Sequence, residues 1–261
     1  METMNMSKTP FIDPFSEAIA ALEDYVAFEV EEGRNTVEMD PATIAALATP
    51  PPSAAAGPAT PVSPPAPPAD LPWATLEAVA AEIAACTHCG LHPTRTNTVP
   101  GEGTPHPEVM FVGEAPGADE DAQGRPFVGR AGKLLTKMIQ AMGFQREEVF
   151  IANICKCRPP DNRKPEPAEM EACIPYLKGQ IALLRPRVIV CLGATATEGL
   201  LGLTGISRVR GTWHTFEGID AMPTFHPSYL LRKPGAKHDT WADLKAVLER
   251  IGRPLPPTAA K

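Results

Sequence analysis

Short apolar runs alternate with amphipathic stretches along the chain after residue 73. Residues 109–112 lack helical spacing and stop at Gly-Glu-Ala-Pro-Gly, which predicts a buried strand that ends in a tight loop. Further strands are predicted at 149–154, 187–192 and 222–225. Helices are predicted where apolar residues recur every three or four positions: 76–85, 132–142, 167–185, 196–201 and 240–251.

Strands that alternate with helices indicate a parallel sheet covered by helices on both faces. We therefore predict an α/β fold with three αβα layers and a central four-stranded parallel sheet, over residues 73–253. Ligands bind such sheets at the edge formed by the carboxyl ends of the strands. The polar motifs of this chain follow strands, so we expect them to meet at that edge.

The composition changes before residue 73. Residues 1–40 contain ten acidic and two basic residues, and ten of the 31 prolines fall within residues 49–72. These features predict a disordered region made of an acidic segment (1–40) and a Pro/Ala-rich linker (41–72). Residues 16–32 have helical spacing, typical either of a docking helix for a protein partner or of a weakly populated helix in a solvated tail. Residues 254–261 are predicted to be a C-terminal tail.

The net charge of −7 belongs to the N-terminal region. Residues 73–261 contain 22 basic and 20 acidic residues, so this part is near +2 (22 minus 20). That balance neither requires DNA nor excludes it, because a local basic face matters more than the total charge. The sequence has no apolar run of about 18 residues and no signal-peptide pattern. We therefore expect a cytoplasmic protein, outside membranes, with reduced cysteines.

Four cysteines have the spacing of a metal or cluster site. Cys86 and Cys89 form a C-x2-C pair at the end of a predicted helix, and 15 residues separate Cys157 from Cys173. Four thiolates suit either a tetrahedral zinc or an iron-sulfur cluster. A zinc ribbon has two close C-x2-C pairs, so the wide second pair favours iron-sulfur. The other interpretation is a set of reduced structural cysteines.

The other two cysteines are less informative. Cys155 and Cys157 would lie on the same side of a continued strand, so their positions do not choose a ligand between them. Cys191 lies within an apolar strand and is predicted to be a buried core residue.

Several segments match a known pattern in order. They are GEAPGADEDAQGRPFVGRAG, NICKCRPPDNRKP, the four-cysteine layout and HPSYLLR. Together they resemble the iron-sulfur (family 4) uracil-DNA glycosylases, over residues 74–251 but not over residues 1–72. The resemblance implies a [4Fe-4S] cluster held by Cys86, Cys89, Cys157 and Cys173, and it implies that Cys155 occupies a position that need not be cysteine.

The resemblance also implies hydrolysis of the N-glycosidic bond of deoxyuridine in DNA, which leaves an abasic site for base excision repair. A uracil inside a duplex must be flipped into a pocket. We expect Phe127 to stack on the ring and Asn153 to pair with N3–H and O4 of uracil, although core packing and turn capping are the alternative roles. His226 is expected to donate to the charge developing at uracil O2. Further substrate contacts are expected from Gly113, Ala115, Asn162 and Ser228.

The water-activating residue is harder to assign. The best-known uracil-DNA glycosylases have an aspartate two residues after the first glycine of this motif, where this chain has Ala115. The available carboxylates can orient a water or stabilise the sugar cation. Our order of candidates is Glu120, then Glu114, with Asn162 as another water-orienting residue.

Basic residues in the loops beside the site are expected to contact phosphates, and an apolar side chain is expected to wedge into the base stack. The wedge candidates are Tyr229, Leu230 and Leu231. The phosphate-binding candidates are Arg125, Arg163, Arg208, Arg210 and Arg232, with Arg130, Lys133, Arg158, Lys164 and Lys233 beside them.

The resulting prediction is a monomeric, monofunctional glycosylase, since no lysine lies at a recognised Schiff-base position. One alternative is a relative that traps uracil-DNA covalently without turnover. Such relatives carry an Arg-Arg-Ile-His element that residues 205–214 lack, which argues for turnover. The other alternative is an iron-sulfur electron carrier or DNA-polymerase accessory module, for which the pocket of Phe127, Asn153 and His226 would be unnecessary.

Overall fold

The computed structural model describes residues 71–255. The acidic segment, its helix, nearly all of the linker and most of the C-terminal tail lie outside the described residues, and these predictions stay predictions. The strands are β1 Glu102–Gly103, β2 Val109–Gly113, β3 Phe150–Asn153, β4 Val188–Leu192, β5 His214–Phe216 and β6 Ile219–Thr224. They form one sheet in the order β1-β3-β2-β4-β6-β5.

The four central strands are parallel, as predicted. β2 pairs with β3 and with β4, and β4 pairs with β6, so that Gly113 faces Asn153 and Leu192 faces Thr224. Every residue of β2, β3 and β4 is buried, which explains their continuous apolar character. The sheet also has two antiparallel edge strands, β1 and β5, that the sequence pattern missed. Strands of two or three residues are too short to show a periodicity.

The helices lie close to the predicted positions. Three short helices, Ala118–Gln123, Ile206–Val209 and Pro227–Arg232, were not predicted, since none is long enough for a visible apolar stripe. Turns of 3₁₀ helix span Arg146–Glu148, Pro160–Asn162 and Pro234–Ala236. The α-helices are α1 Leu76–Ala85, α2 Ala118–Gln123, α3 Arg130–Ala141, α4 Pro167–Leu184, α5 Ala194–Leu201, α6 Ile206–Val209, α7 Pro227–Arg232 and α8 Lys237–Arg250.

Two hydrophobic clusters cover the two faces of the sheet. Met110 and Val112 of β2 pack in one cluster with residues of α1, α4 and α5. Val109 and Phe111 of the same strand pack in the other cluster with residues of α3 and α8. Alternate side chains of one strand thus enter opposite layers, which confirms the predicted αβα arrangement. Within residues 71–255, no helix combines the length and the apolar character needed to cross a membrane.

Candidate active site

The carboxyl ends of the parallel strands open into a cavity of about 300 Å³, here called the base cavity. It brings together most of the residues predicted for substrate contact and chemistry, which come from the end of β3 and from the segments that follow β2, β3 and β6. They are Ala115, Glu120, Phe127, Asn153, Asn162, His226 and Ser228.

Gly113 lies at the contact between Phe127 and Asn153. A Cβ atom at Gly113 would lie 2.4 Å from Asn153 Oδ1 and 2.5 Å from Phe127 Cζ, so only glycine fits. Asn153 is 2% exposed, and its Oδ1 has no hydrogen-bond partner within the described residues. A buried acceptor without a partner costs free energy, which a ligand N–H in the cavity would recover.

The His226 ring packs beside the Phe127 ring, with centroids 5.6 Å apart and a 33° angle between the planes, and both rings line the base cavity. It caps α7, where its Nδ1 accepts the backbone N–H of Ser228 at 3.1 Å. Because a backbone N–H can only donate, Nδ1 carries no proton, and the neutral ring carries its proton on Nε2. Burial, and secondarily the charge of Arg232, lowers the pKa of His226 to about 4.

Glu120 joins the two ends of the loop that contains α2. Its carboxylate accepts the backbone N–H groups of Gly117, Val128 and Gly129 at 3.1, 2.8 and 2.9 Å. Glu120, the first-ranked candidate for the general base, therefore lines the base cavity. Its carboxylate is held in place by these three hydrogen bonds and also stabilises the loop. Sequence reasoning did not foresee these loop contacts.

Glu114 lies in a second cavity of about 300 Å³, here called the adjoining cavity. The two cavities share Ala115, His226 and Ser228. The Thr195 hydroxyl donates to the Glu114 carboxylate. Thr195 was not identified from the sequence, although its position three residues after the end of β4 is a signal for an edge residue. The two candidate carboxylates thus face different cavities on either side of His226.

Asn162 reaches the base cavity from the 3₁₀ turn Pro160–Asn162. Its φ is 55° and that of Asp161 is 53°, both in the left-handed region that asparagine and aspartate tolerate. Asn162 Oδ1 accepts a hydrogen bond from Arg158 Nε at 2.8 Å.

The predicted phosphate-binding arginines differ in their surroundings. Arg125 is 58% exposed and pairs with Glu102 at 2.7 Å. Arg163 binds both oxygens of Glu169, at 2.8 and 2.7 Å. Arg232 is exposed and lines the adjoining cavity, while Arg208 lies in α6.

Arg210 is less exposed than Arg125 and Arg163: its side chain is 19% exposed, against 58% and 38%. Its guanidinium binds the buried carboxylate of Asp243, with Nε at 3.0 Å from Oδ2. Because this pair holds the guanidinium against a buried carboxylate, the structure favours a structural role for Arg210.

The wedge prediction needs one correction. Leu230 is 1% exposed, because α7 turns it toward the protein interior, and it is not available to enter a base stack. Leu231, the next residue, is 39% exposed. Tyr229 lines the adjoining cavity and packs on Phe225 with ring centroids 4.8 Å apart. The prediction for Leu230 is therefore wrong, and Leu231 is the exposed apolar side chain of this helix.

The predicted cluster ligands line one small cavity, here called the cysteine cavity. Arg95 Nη1 donates to Cys157 Sγ at 3.3 Å, and Lys156 N donates to Cys173 Sγ at 3.2 Å. N–H donors to sulfur are typical of the surroundings of iron-sulfur clusters. The ligand candidates in this cavity are Cys86, Cys89, Cys157 and Cys173.

Cys155 is completely buried and is not part of the lining of the cysteine cavity. Its thiol forms a hydrogen bond with the thiol of Cys173, and with burial this contact raises the pKa of Cys155. Cys191 is buried in β4, as predicted. Among residues 71–255 there is no group of three or more His, Cys, Asp or Glu that could hold a metal ion. A cluster is larger than one ion, so its ligands need not converge on a point.

Lys156 connects the cysteine cavity to the end of β3. Its ammonium is buried and donates to the backbone oxygen of Asn153 at 2.9 Å and to Gln180 Oε1 at 2.7 Å. Burial lowers the pKa of Lys156 to about 8. Sequence reasoning missed this residue, because a lysine next to a cysteine motif reads as a surface charge.

Comparisons with known proteins identify the family of this chain. The family model described as "Uracil DNA glycosylase superfamily" matches residues 100–245. The "Type-4 uracil-DNA glycosylase" of Archaeoglobus fulgidus is 44% identical over 191 residues, which cover 70% of this chain and 96% of that protein. The proteins of the same description from Sulfurisphaera tokodaii and Thermotoga maritima are 45% identical over 185 residues and 49% identical over 162 residues. These alignments cover 67% and 60% of this chain, and 84% and 83% of the two relatives.

The α/β fold with its base cavity thus defines a member of the uracil-DNA glycosylase class of enzymes. The chain belongs to the type-4 uracil-DNA glycosylases of that superfamily. The resemblance drawn from the sequence motifs is confirmed.

Proposed function

We propose that this enzyme hydrolyses the N-glycosidic bond of deoxyuridine in DNA and leaves an abasic site, as a monofunctional glycosylase of base excision repair. The observation that carries the proposal is the Oδ1 of Asn153, which has no hydrogen-bond partner among residues 71–255 and is buried in a cavity that also contains Phe127 and His226. This cavity has an apolar ring, an amide and an imidazole N–H, the groups needed to hold a flipped uracil.

Recognition of uracil follows from the edge that Asn153 presents. Its Oδ1 accepts from uracil N3–H, and its amide nitrogen donates to O4. Cytosine has an acceptor at N3, which would face the acceptor Oδ1, and an amine at C4, which would face the donor amide nitrogen. Neither pair can form a hydrogen bond. Phe127 stacks on the ring. Gly113 and Ala115 have no bulky side chain, which leaves room for the base to contact Phe127. Ser228 holds the imidazole of His226 in place.

Bond cleavage places negative charge on uracil O2 and positive character on the sugar. The Nε2–H of His226 donates to O2, and a neutral imidazole suffices because the hydrogen bond strengthens as charge develops. Such a bond is worth about 3–4 kcal/mol in the transition state, by analogy with oxyanion-hole deletions.

Glu114 faces the adjoining cavity, where the sugar would lie, and stabilises its positive character. Glu120 and Asn162 line the base cavity and orient the attacking water. We assign these roles to Glu114, Glu120 and Asn162 according to the cavity that each side chain lines.

DNA binds across the edge that carries the two cavities. Arg125, Arg163, Arg208 and Arg232 contact phosphates, with Tyr229 and Leu231 against the neighbouring bases. The enzyme works as a monomer in the cytoplasm.

The cysteine cavity fits a [4Fe-4S] cluster held by Cys86, Cys89, Cys157 and Cys173, because donors from Arg95 and Lys156 already point at two of the sulfurs. Bound there, the cluster has a structural role as a cross-link between α1, the segment after β3, and α4. The chain's own part is to supply these thiolates and the positive charge around them. No step of the reaction passes through the cluster.

The test is excision of uracil from a fluorescent oligonucleotide by wild type and His226→Ala, read after alkali to reveal abasic sites. Cleavage by wild type that falls about 10²–10³-fold in the variant supports the proposal. Folded, DNA-binding protein that cleaves nothing would support the trapping or accessory alternatives instead. A covalent adduct on a denaturing gel distinguishes trapping from accessory binding.

A further inference from the structure

Phe127 has a backbone conformation that L-amino acids avoid. Its φ is 51°, in the left-handed region, which is unfavourable for a residue with a side chain. Such a conformation persists only where the surrounding structure over-determines it. The contacts of residues 125–129 therefore indicate what holds the ring in the base cavity.

Side chains from other elements bind the backbone on both sides of Phe127. After it, the N–H groups of Val128 and Gly129 donate to Glu120 Oε1 at 2.8 and 2.9 Å. Before it, the carbonyl of Pro126 accepts a hydrogen bond from Arg146 Nη2 at 2.5 Å. The backbone around Phe127 is thus held by the carboxylate of Glu120 on one side and by the guanidinium of Arg146 on the other.

Arg146 is itself held in three directions. Its Nε and Nη2 atoms donate to Glu102 Oε1 at 2.9 and 2.8 Å, and its Nη1 donates to Thr136 Oγ1 on α3 at 3.2 Å. The Arg146 side chain is 12% exposed and that of Glu102 is 25% exposed. A guanidinium reaches all these acceptors because its donors form a planar fork, whereas the single ammonium of lysine does not.

The Glu102 carboxylate also receives Arg125, at 2.7 Å to Oε2 and 3.1 Å to Oε1. One carboxylate on β1 therefore binds Arg125, which precedes Pro126 in sequence, and Arg146, which binds the Pro126 carbonyl. Burial raises the pKa of Glu102, but the two guanidinium groups outweigh it and hold that pKa below its usual value. The carboxylate is ionised at neutral pH and keeps both contacts.

We propose that Glu102 and Arg146 form a clamp that positions the Phe127 ring over the substrate base, which makes Arg146 a positioning residue for excision. The proposal rests on the proposed function, since the base is the flipped uracil. Arg146 contacts no reacting group, and its effect passes through the Pro126 carbonyl. A misplacement of about 1 Å can cost on the order of 100-fold in rate.

The first experiment measures single-turnover excision and affinity for abasic-site DNA in Arg146→Lys and Arg146→Met. The matched control is Arg187→Met, because Arg187 also pairs with a carboxylate, Glu108 at 3.0 Å, and with a backbone carbonyl, that of Ile251 at 2.7 Å. We expect both Arg146 variants to slow the chemical step about 10–100-fold with little change in abasic-DNA affinity. The control should stay within about twofold, since a surface pair contributes little.

A double-mutant cycle then separates positioning from general destabilisation. Arg146→Met is combined with Phe127→Ala, and Arg146→Lys with Phe127→Ala in case the methionine variant folds poorly. If Arg146 acts through the ring, its effect on rate disappears once the ring is gone. Additive effects of the two substitutions would overturn the clamp.

A fluorine label tests the clamp without relying on activity. With 4-fluorophenylalanine at position 127, Arg146→Met should shift or broaden the ¹⁹F resonance, while Arg187→Met should not. An unmoved resonance in Arg146→Met overturns the clamp, whatever the excision assay gives. If the wild-type protein excises no uracil, the proposed function is overturned. A resonance that still moves in Arg146→Met would then show that the clamp holds the Phe127 loop without serving excision.

Discussion

The backbone N–H of Ser228 donates to Nδ1 of His226, and this contact fixes the proton of the neutral imidazole on Nε2. The nitrogen that faces the cavity is therefore a donor before any substrate binds. His226→Ala removes the donor and should lower the rate constant of the chemical step about 10²–10³-fold. Single-turnover kinetics with saturating enzyme measure that step. Affinity for abasic-site DNA serves as the control, and a large loss there with an unchanged rate would contradict the assigned role.

The same histidine should make stability depend on pH. Its folded pKa is lowered to about 4 from the ordinary value of 6.5, so the unfolded chain binds a proton first on acidification. Stability contributed by His226 is therefore present above about pH 6.5 and is lost as the pH falls toward 4. Urea unfolding between pH 4.5 and 7.5 should show a shallower pH slope in His226→Gln than in wild type. Equal slopes would show that His226 titrates normally.

Gly113→Ala should abolish most of the activity, because the added methyl group would overlap Phe127 Cζ and Asn153 Oδ1. The ring and the amide cannot both keep their positions, so we expect a rate loss of about 100-fold or more. Gly235→Ala is the control, since a Cβ there meets nothing within 4 Å. Excision rates and thermal unfolding of both variants test this. An active Gly113→Ala enzyme would rule out the described packing.

Leu230 and Leu231 should respond in opposite ways to truncation. Leu230 is 1% exposed, so Leu230→Ala should cost about 2–5 kcal/mol of stability, which thermal unfolding measures. Leu231 is 39% exposed, so Leu231→Ala should leave stability nearly unchanged. If Leu231 enters the base stack, its loss should slow excision from duplex DNA more than from single strands. Equal slowing on both substrates would reject the wedge.

Cys157→Ala should lose folding or DNA affinity before intrinsic chemistry, because Cys157 connects the segment after β3 to the cysteine cavity. Absorbance of the purified protein near 400 nm reports the cluster, and oligonucleotide binding reports the DNA surface. Cys155→Ala is the matched control, since Cys155 lies outside the lining of that cavity and should keep the absorbance. An intact, fully active Cys157→Ala protein would contradict the structural role of the cluster.

The sequence determined the features that depend only on residues close together along the chain. Continuous apolar runs specify buried parallel strands, and residues after those strands must reach one edge of the sheet. The four central strands were predicted for that reason, whereas the family and the pocket of Phe127, Asn153 and His226 were predicted from the resemblance of the ordered motifs.

Only the tertiary structure decided which distant side chains meet. Arg210 looked like a phosphate ligand until Asp243, 33 positions later, proved to hold it. Arg146 and Glu102 are 44 positions apart, and neither carries a local signal of its contact with the Phe127 loop. Adjacent residues also diverged, since one turn of α7 buries Leu230 and exposes Leu231. Periodicity fixes local conformation, whereas partner choice depends on how the packed layers bring remote segments together.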